Sequence, residues 1–216
     1  MKYTQEMFGI IRSLLKFRLM GMQKDFLVIG SDSGRIVILE YDVNRKHFVK
    51  VHQETYGKTG CRRIVPGEYL AADPKGRVVL VGALERQKFV YQMNRDSDNK
   101  LIISSPLEAH KPHTVTLDMC ALDNGLENPQ FACLEIDYGE TDNEEAAVVT
   151  GQPQKKLVVY EVDLGLNHVI RKFAEAVPQT AHALIPVPGG EDAQGPSGVI
   201  IACENFIIYK KQDHED

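Results

Sequence analysis

Short apolar runs, many of them alternating with polar positions, recur along the whole chain and are set apart by clusters of Gly, Pro, Asn and Asp. Alternation with a period of two predicts half-buried β-strands, and the Gly- and Pro-containing clusters predict the turns between them. The strands fall into sets of four. The first set covers residues 10–19, 25–31, 35–41 and 47–55, with Ser31-Asp32-Ser33-Gly34 as a tight hairpin turn. The second covers 69–73, 77–83, 88–93 and 101–104, and in Asp73-Pro74-Lys75-Gly76 both the Pro and the Gly suit their turn positions. The third covers 114–122, 130–136, 156–162 and 168–173, and the last set holds three strands, 183–187, 198–203 and 206–210.

In each set one strand ends on a tyrosine followed by a charged or amide residue: Tyr41-Asp42, Tyr91-Gln92, Tyr160-Glu161 and Tyr209-Lys210. These tyrosines lie 50, 69 and 49 positions apart. A recurrence near 50 is what stacked four-stranded units produce, because each unit buries one face and needs a neighbour to cover the other. The long spacing is explained by residues 137–154, rich in Glu, Asp, Asn and Gly, which read as a solvated insertion. The expected fold is all-β, a WD40-like β-propeller forming a partial ring of about four four-stranded antiparallel blades. One partial propeller domain is expected over residues 1–216, its blades at roughly 10–56, 69–105, 114–174 and 183–211. Closed propellers use about 4 to 8 blades. The last strand runs into Lys210-Lys211-Gln212 with no capping element, so a piece of a longer multi-propeller chain is expected. Val28, Ile36, Ile38, Val79, Val81, Cys133, Val158, Ile200 and Ile207 are the positions expected to fill the contacts between blades.

Composition changes this picture little. A chain of 216 residues, 43% hydrophobic and 25% charged, is an ordinary globular sequence with enough apolar residues for a sizeable core. Its net charge of −5 argues against a broad basic surface for nucleic acid. Cys61, Cys120, Cys133 and Cys203 are scattered singly, without the close pairs of a zinc site. Three of them sit in apolar runs, where reduced cysteine acts as a small hydrophobe, so a reducing compartment is expected. Lys2, Glu6, Arg12, Lys16 and Arg18 interrupt the first apolar stretch, which excludes a secretory signal there, and no run is long enough to span a bilayer.

The chemical inventory points away from catalysis and from cofactors. Gly57-Lys58-Thr59 lacks the preceding Gly of a phosphate loop, that position being His52, and so reads as a turn between strands. His110 and His113 flank Pro112 without a nearby Cys and read as a loop crossing between blades rather than as metal ligands. No Gly-x-Ser-x-Gly elbow occurs. Cys61 beside Arg62 and Arg63 has cations to stabilise a thiolate but no histidine placed by sequence. The run from Lys58 to Arg63 reads either as a solvated loop or as a contact for an acidic partner or an RNA phosphate, with Lys58, Arg62 and Arg63 as the candidate partner-binding residues.

Longer strings carry a resemblance. They include Gly30-Ser31-Asp32-Ser33-Gly34-Arg35-Ile36-Val37, His52-Gln53-Glu54-Thr55-Tyr56-Gly57-Lys58-Thr59-Gly60-Cys61-Arg62-Arg63, Ile103-Ser104-Ser105-Pro106-Leu107-Glu108-Ala109-His110, Phe131-Ala132-Cys133-Leu134-Glu135 and Asp163-Leu164-Gly165-Leu166-Asn167-His168. Together they resemble the N-terminal propeller of the splicing factor 3b subunit 3 family, almost from end to end. That family belongs to a wider set with the large damaged-DNA-binding protein and the large cleavage and polyadenylation factor subunit. Residues 137–154 and 191–194 match no family pattern. The resemblance implies about half of a seven-bladed first propeller, in a nuclear, non-enzymatic scaffold of the splicing factor 3b complex within the U2 small nuclear ribonucleoprotein. Its implied partners are other splicing factor 3b subunits, the HEAT-repeat subunit among them, with RNA reached through the complex and neither a membrane nor a small-molecule substrate. The alternative is a propeller adaptor of the damaged-DNA-binding type in a ubiquitin ligase.

Overall fold

The β-branched and aromatic runs form strands throughout. A computed structural model describes residues 4–56, 67–84, 87–110, 114–138, 153–189 and 198–211, and among these it contains sixteen strands and no α-helix. The first blade comprises β1 (Ile11–Arg18), β2 (Asp25–Ser31), β3 (Arg35–Asp42) and β4 (His47–Thr55), hydrogen-bonded in chain order. The second holds β5 (Leu70–Ala72), β6 (Val78–Leu84), β7 (Gln87–Arg95) and β8 (Leu101–Ile103), with β9 (Leu107–His110) also paired to β7. The third holds β10 (Thr114–Ala121), β11 (Gln130–Asp137), β12 (Lys155–Asp163) and β13 (His168–Ala176), and the fourth β14 (Ala183–Pro186), β15 (Val199–Ala202) and β16 (Ile207–Lys210). The pairings are antiparallel, as expected for strands joined by hairpins.

The leading strands pack in series, β1 on β5, β5 on β10 and β10 on β14, which lays the sheets out as consecutive blades of a partial ring. Three apolar seams hold them. Phe26, Val28, Ile36 and Ile38 of the first blade meet Val79, Val81, Phe89 and Tyr91 of the second. Val78, Leu80 and Val90, on the opposite face of the second blade, meet Phe131, Cys133, Val158 and Tyr160. Ala132, Leu134, Leu157 and Val159 meet Leu184, Val199 and Ile201. Burying one such aliphatic side chain contributes about 1.5–3 kcal/mol, so the seams dominate cohesion between blades.

Polar ties accompany each seam. Ser13 Oγ donates to Gly67 O between the first and second blades. Gly67 there has φ +77°, and a Cβ on it would overlap the backbone of Gly30 and Ser31, so this crossing admits only glycine. Between the third and fourth blades, Leu184 N donates to Asp118 Oδ2 at 2.6 Å and Gly189 N to Asp123 Oδ2 at 2.8 Å.

Two expectations need correction. The second blade continues past 105 to His110, because Leu107–His110 pairs with Gln87–Val90 while Leu101–Ile103 pairs with Met93–Arg95. Two short strands laid end to end thus replace one outer strand, and His110 belongs to a strand rather than to a crossing loop; His113 lies outside the described residues. Seven of the nine expected core positions are buried, but Ile200 is half-buried and Ile207 is 70% exposed. In the fourth blade Ile201 and Ile208 face the third blade, which turns Ile200 and Ile207 to the opposite face.

Candidate interaction site

In an up-and-down sheet the turns between first and second strands and between third and fourth strands emerge at the same end. On one rim these are the turns after β1, β3, β5, β7, β10 and β12. Three of them share one construction. Asp42 Oδ1 accepts from the amides of Asn44 (2.9 Å) and Arg45 (3.0 Å), Asp96 Oδ1 from those of Asp98 (2.9 Å) and Lys100 (2.8 Å), and Asp163 Oδ1 from those of Gly165 and Leu166 (both 2.9 Å). Each turn then passes through a left-handed residue, Lys46 (φ 54°), Asn99 (φ 58°) or Asn167 (φ 53°). The amides of Arg45 and Asn44 hold the Asp42 carboxyl below its ordinary range, against a smaller opposing effect of desolvation.

The turns are also tied to one another. Arg77, nine-tenths buried, makes two hydrogen bonds to the Asp73 carboxylate (2.7 and 2.9 Å) and reaches the carbonyls of Gly125, Leu126 and Glu127 in the third blade at 2.7–3.3 Å. Gln92 Nε2 donates to Asn167 Oδ1 at 2.8 Å. On this braced rim, apolar side chains stand in solvent at the turn tips: Met20 (54% exposed), Val43 (75%), Leu126 (74%) and Leu166 (76%).

Between the rim turns of the first two blades lies a cleft of about 300 Å³, floored by Leu19, Met93 and Leu164 and edged by Met20, Gln92 and Arg95. A second depression of about 410 Å³, lined by Met22, Lys24 and Asn99 among others, opens on the other side of Arg95. Arg95 Nη1 donates to Gly21 O at a long 3.4 Å. Lys24 instead meets Glu40, whose hydrogen bond and charge raise the lysine above its ordinary value.

Beneath the rim, the seam between second and third blades contains a buried lysine–glutamate pair. Lys88 Nζ lies 2.5 Å from Glu135 Oε1 with both side chains at most 5% exposed, and Tyr160 OH donates to the same carboxylate at 3.1 Å. Burial pushes the neighbouring Cys133 thiol far up, and that of Cys120 up to about 12, which leaves both as packing groups rather than nucleophiles. Among the described residues no group of three or more His, Cys, Asp or Glu is placed to hold a metal ion.

Lys58, Arg62 and Arg63, with Cys61 beside them, lie outside the described residues. The rim residues brought together here, Arg95 with Met20, Met93 and Leu164, were not singled out by sequence. They come from different blades and share no local motif. The one local signal is the thrice-repeated Asp that opens a turn and is followed three or four positions later by Lys or Asn in left-handed backbone.

A partial propeller whose polar ties brace one set of turns is a rigid interaction platform in its geometry. The family model described as RSE1/DDB1/CPSF1 first beta-propeller matches residues 1–216, and the chain belongs to that family. It is similar to Spliceosome-associated protein 130 A of Arabidopsis thaliana, 56% identical over 99% of this chain and 18% of the relative. It is 58% identical to Splicing factor 3B subunit 3 of Danio rerio over 96% of this chain and 17% of the relative. It is 52% identical to Pre-mRNA-splicing factor rse1 of Emericella nidulans over 99% of this chain and 18% of the relative. The chain thus spans less than a fifth of the length of these curated relatives.

Proposed function

We propose that this chain is the first-propeller part of a non-enzymatic scaffold acting in pre-mRNA splicing, within the splicing factor 3b complex of the U2 small nuclear ribonucleoprotein in the nucleus. The observation that carries the reading is identity of 56–58% along nearly the whole chain to relatives named for the spliceosome and for splicing factor 3B. The domain reading that goes with it is a single partial propeller over 1–216 within a longer multi-propeller protein. The partners are other splicing factor 3b subunits, the HEAT-repeat subunit included, with RNA reached through the complex and no membrane or small-molecule substrate. Lys58, Arg62 and Arg63 are proposed as a contact loop on their clustering in sequence, since a cluster of cations steers association with an acidic partner or an RNA phosphate.

Affinity purification of the full-length protein from nuclear extract tests the scaffold role: U2 components co-purify if it is right, whereas recovery of cullin subunits without them overturns it in favour of a ubiquitin-ligase adaptor. Reversing both Arg62 and Arg63 to Glu tests the loop. The melting temperature is expected to hold while incorporation into the complex falls; a destabilised protein, or undiminished assembly, removes the loop from the interface.

A further inference from the structure

The cleft between the first two blades has a shape and charge that specify its occupant. Its floor is apolar, with Met93 buried, and its edge flexible, with Met20 in solvent; Met22, half-buried, lines the adjoining depression. Methionine is the side chain that adapts most readily to a differently shaped apolar partner. The walls are fixed: Arg77 ties the floor to the third blade, Gln92 holds Asn167, and Asp96 caps the turn that follows Arg95. A pre-formed site loses little ordering entropy on binding.

Three cations and one carboxylate, Asp98, line the cleft and its neighbouring depression, and Asp98 lies 3.8 Å from Lys100. Arg77 is paired with Asp73 and Lys24 with Glu40, whereas Arg95 has no carboxylate within ion-pair distance among the described residues. A guanidinium at the edge of an apolar floor calls for a carboxylate, which it binds through two parallel N–H donors. Single-stranded nucleic acid is disfavoured as occupant, because it needs several cations and aromatic faces for stacking, and no aromatic ring lines the cleft.

We propose that this cleft docks a segment of a partner protein that lays an apolar side chain between Met20, Met93 and Leu164 and sets an Asp or Glu on Arg95. The inference rests on the scaffold reading above and names a contact within it. The test replaces Met20 of the full-length protein with the photo-crosslinking residue benzoylphenylalanine, irradiates the nuclear-extract assembly, and maps the crosslinked segment by mass spectrometry. The expected product is a protein segment carrying an acidic residue close to an apolar one. Its yield should fall about tenfold when Arg95→Glu is added, as at a central interface arginine, and hold when Lys75→Glu is added on the same rim outside the cleft. Unchanged melting temperatures show that the variants fold.

A crosslink to RNA, a segment without acidic residues, or a yield indifferent to Arg95→Glu overturns the proposal, as does absence of a crosslink. If U2 components are still recovered in those cases, the cleft fails and the scaffold stands. If U2 components are absent while an acidic, Arg95-dependent segment is captured, the scaffold reading fails and the cleft stands.

Discussion

Lys88 meets Glu135 with almost no solvent at either group, so each is tolerated only because the other is there. Lys88→Met leaves Glu135 buried without its cation, which is expected to cost about 3–5 kcal/mol. Adding Glu135→Gln should restore much of that, because a neutral amide replaces the stranded charge. Denaturant unfolding of both single variants and the double variant checks this, and a double-variant loss equal to the sum of the two single losses would mean that the pair is not energetically coupled. Asp42 makes a different prediction, in pH. Its carboxyl is held low in the folded chain chiefly by the Arg45 and Asn44 amides, so its contribution to the turn is complete above the ordinary carboxylate value near 4. That contribution is lost as the pH falls through the lower folded value. An NMR titration should show the Asn44 and Arg45 amides shifting together with a midpoint below that of a free Asp, and a midpoint at or above it would count against the cap.

At the scale of elements, the contrast between β12 and β16 is the sharpest check. Val158 is wholly buried in the seam between second and third blades, and Val158→Asp should abolish soluble expression by stranding a charge. Ile207 is mostly in solvent, and Ile207→Asp should express as the parent does. If the two variants behave alike, the register of one strand is wrong. The sequence pattern predicts both residues in the core because each lies in an apolar run, and each is two positions before its strand's tyrosine. Three tyrosines keep that phase: Tyr91 and Tyr160 enter the seam with the preceding blade, while Tyr41 lies on the corresponding face, where no described blade precedes it. Tyr209 is out of phase by one residue, which in a strand exchanges the faces. Strand alternation made four blades and most strand limits legible, since it depends only on neighbouring positions. It missed Leu107–His110, whose reason for being a strand is the free edge of β7, a partner far away in sequence. For the same reason Arg95 was not legible: its distinction is the lack of a carboxylate partner, and partners are set by packing.

At the scale of the whole molecule, blades contact their neighbours in series, so the chain has two end faces, and these are unlike. On the first blade, Ile29, Val37 and Leu39 are buried, with Met7 and Phe48 packed against them and Arg35 over the Phe8 ring at 4.3 Å, while Leu14, opposite Ile29, and Phe8 are each more than half exposed. On the fourth, Ile185, Ile207 and Tyr209 are each more than half exposed. A body with one adhesive end can pair, but pairing hides the adhesive surface, whereas a body with two unlike adhesive ends grows without limit. The 216-residue chain on its own carries exposed apolar side chains at both ends and should therefore associate beyond two copies. Sedimentation across a concentration series should show species larger than a dimer that Ile207→Lys reduces; a monomer at every concentration would show that the end faces are not adhesive. Met7, lying against the first blade, covers only part of that end, so the two ends differ in adhesion by degree.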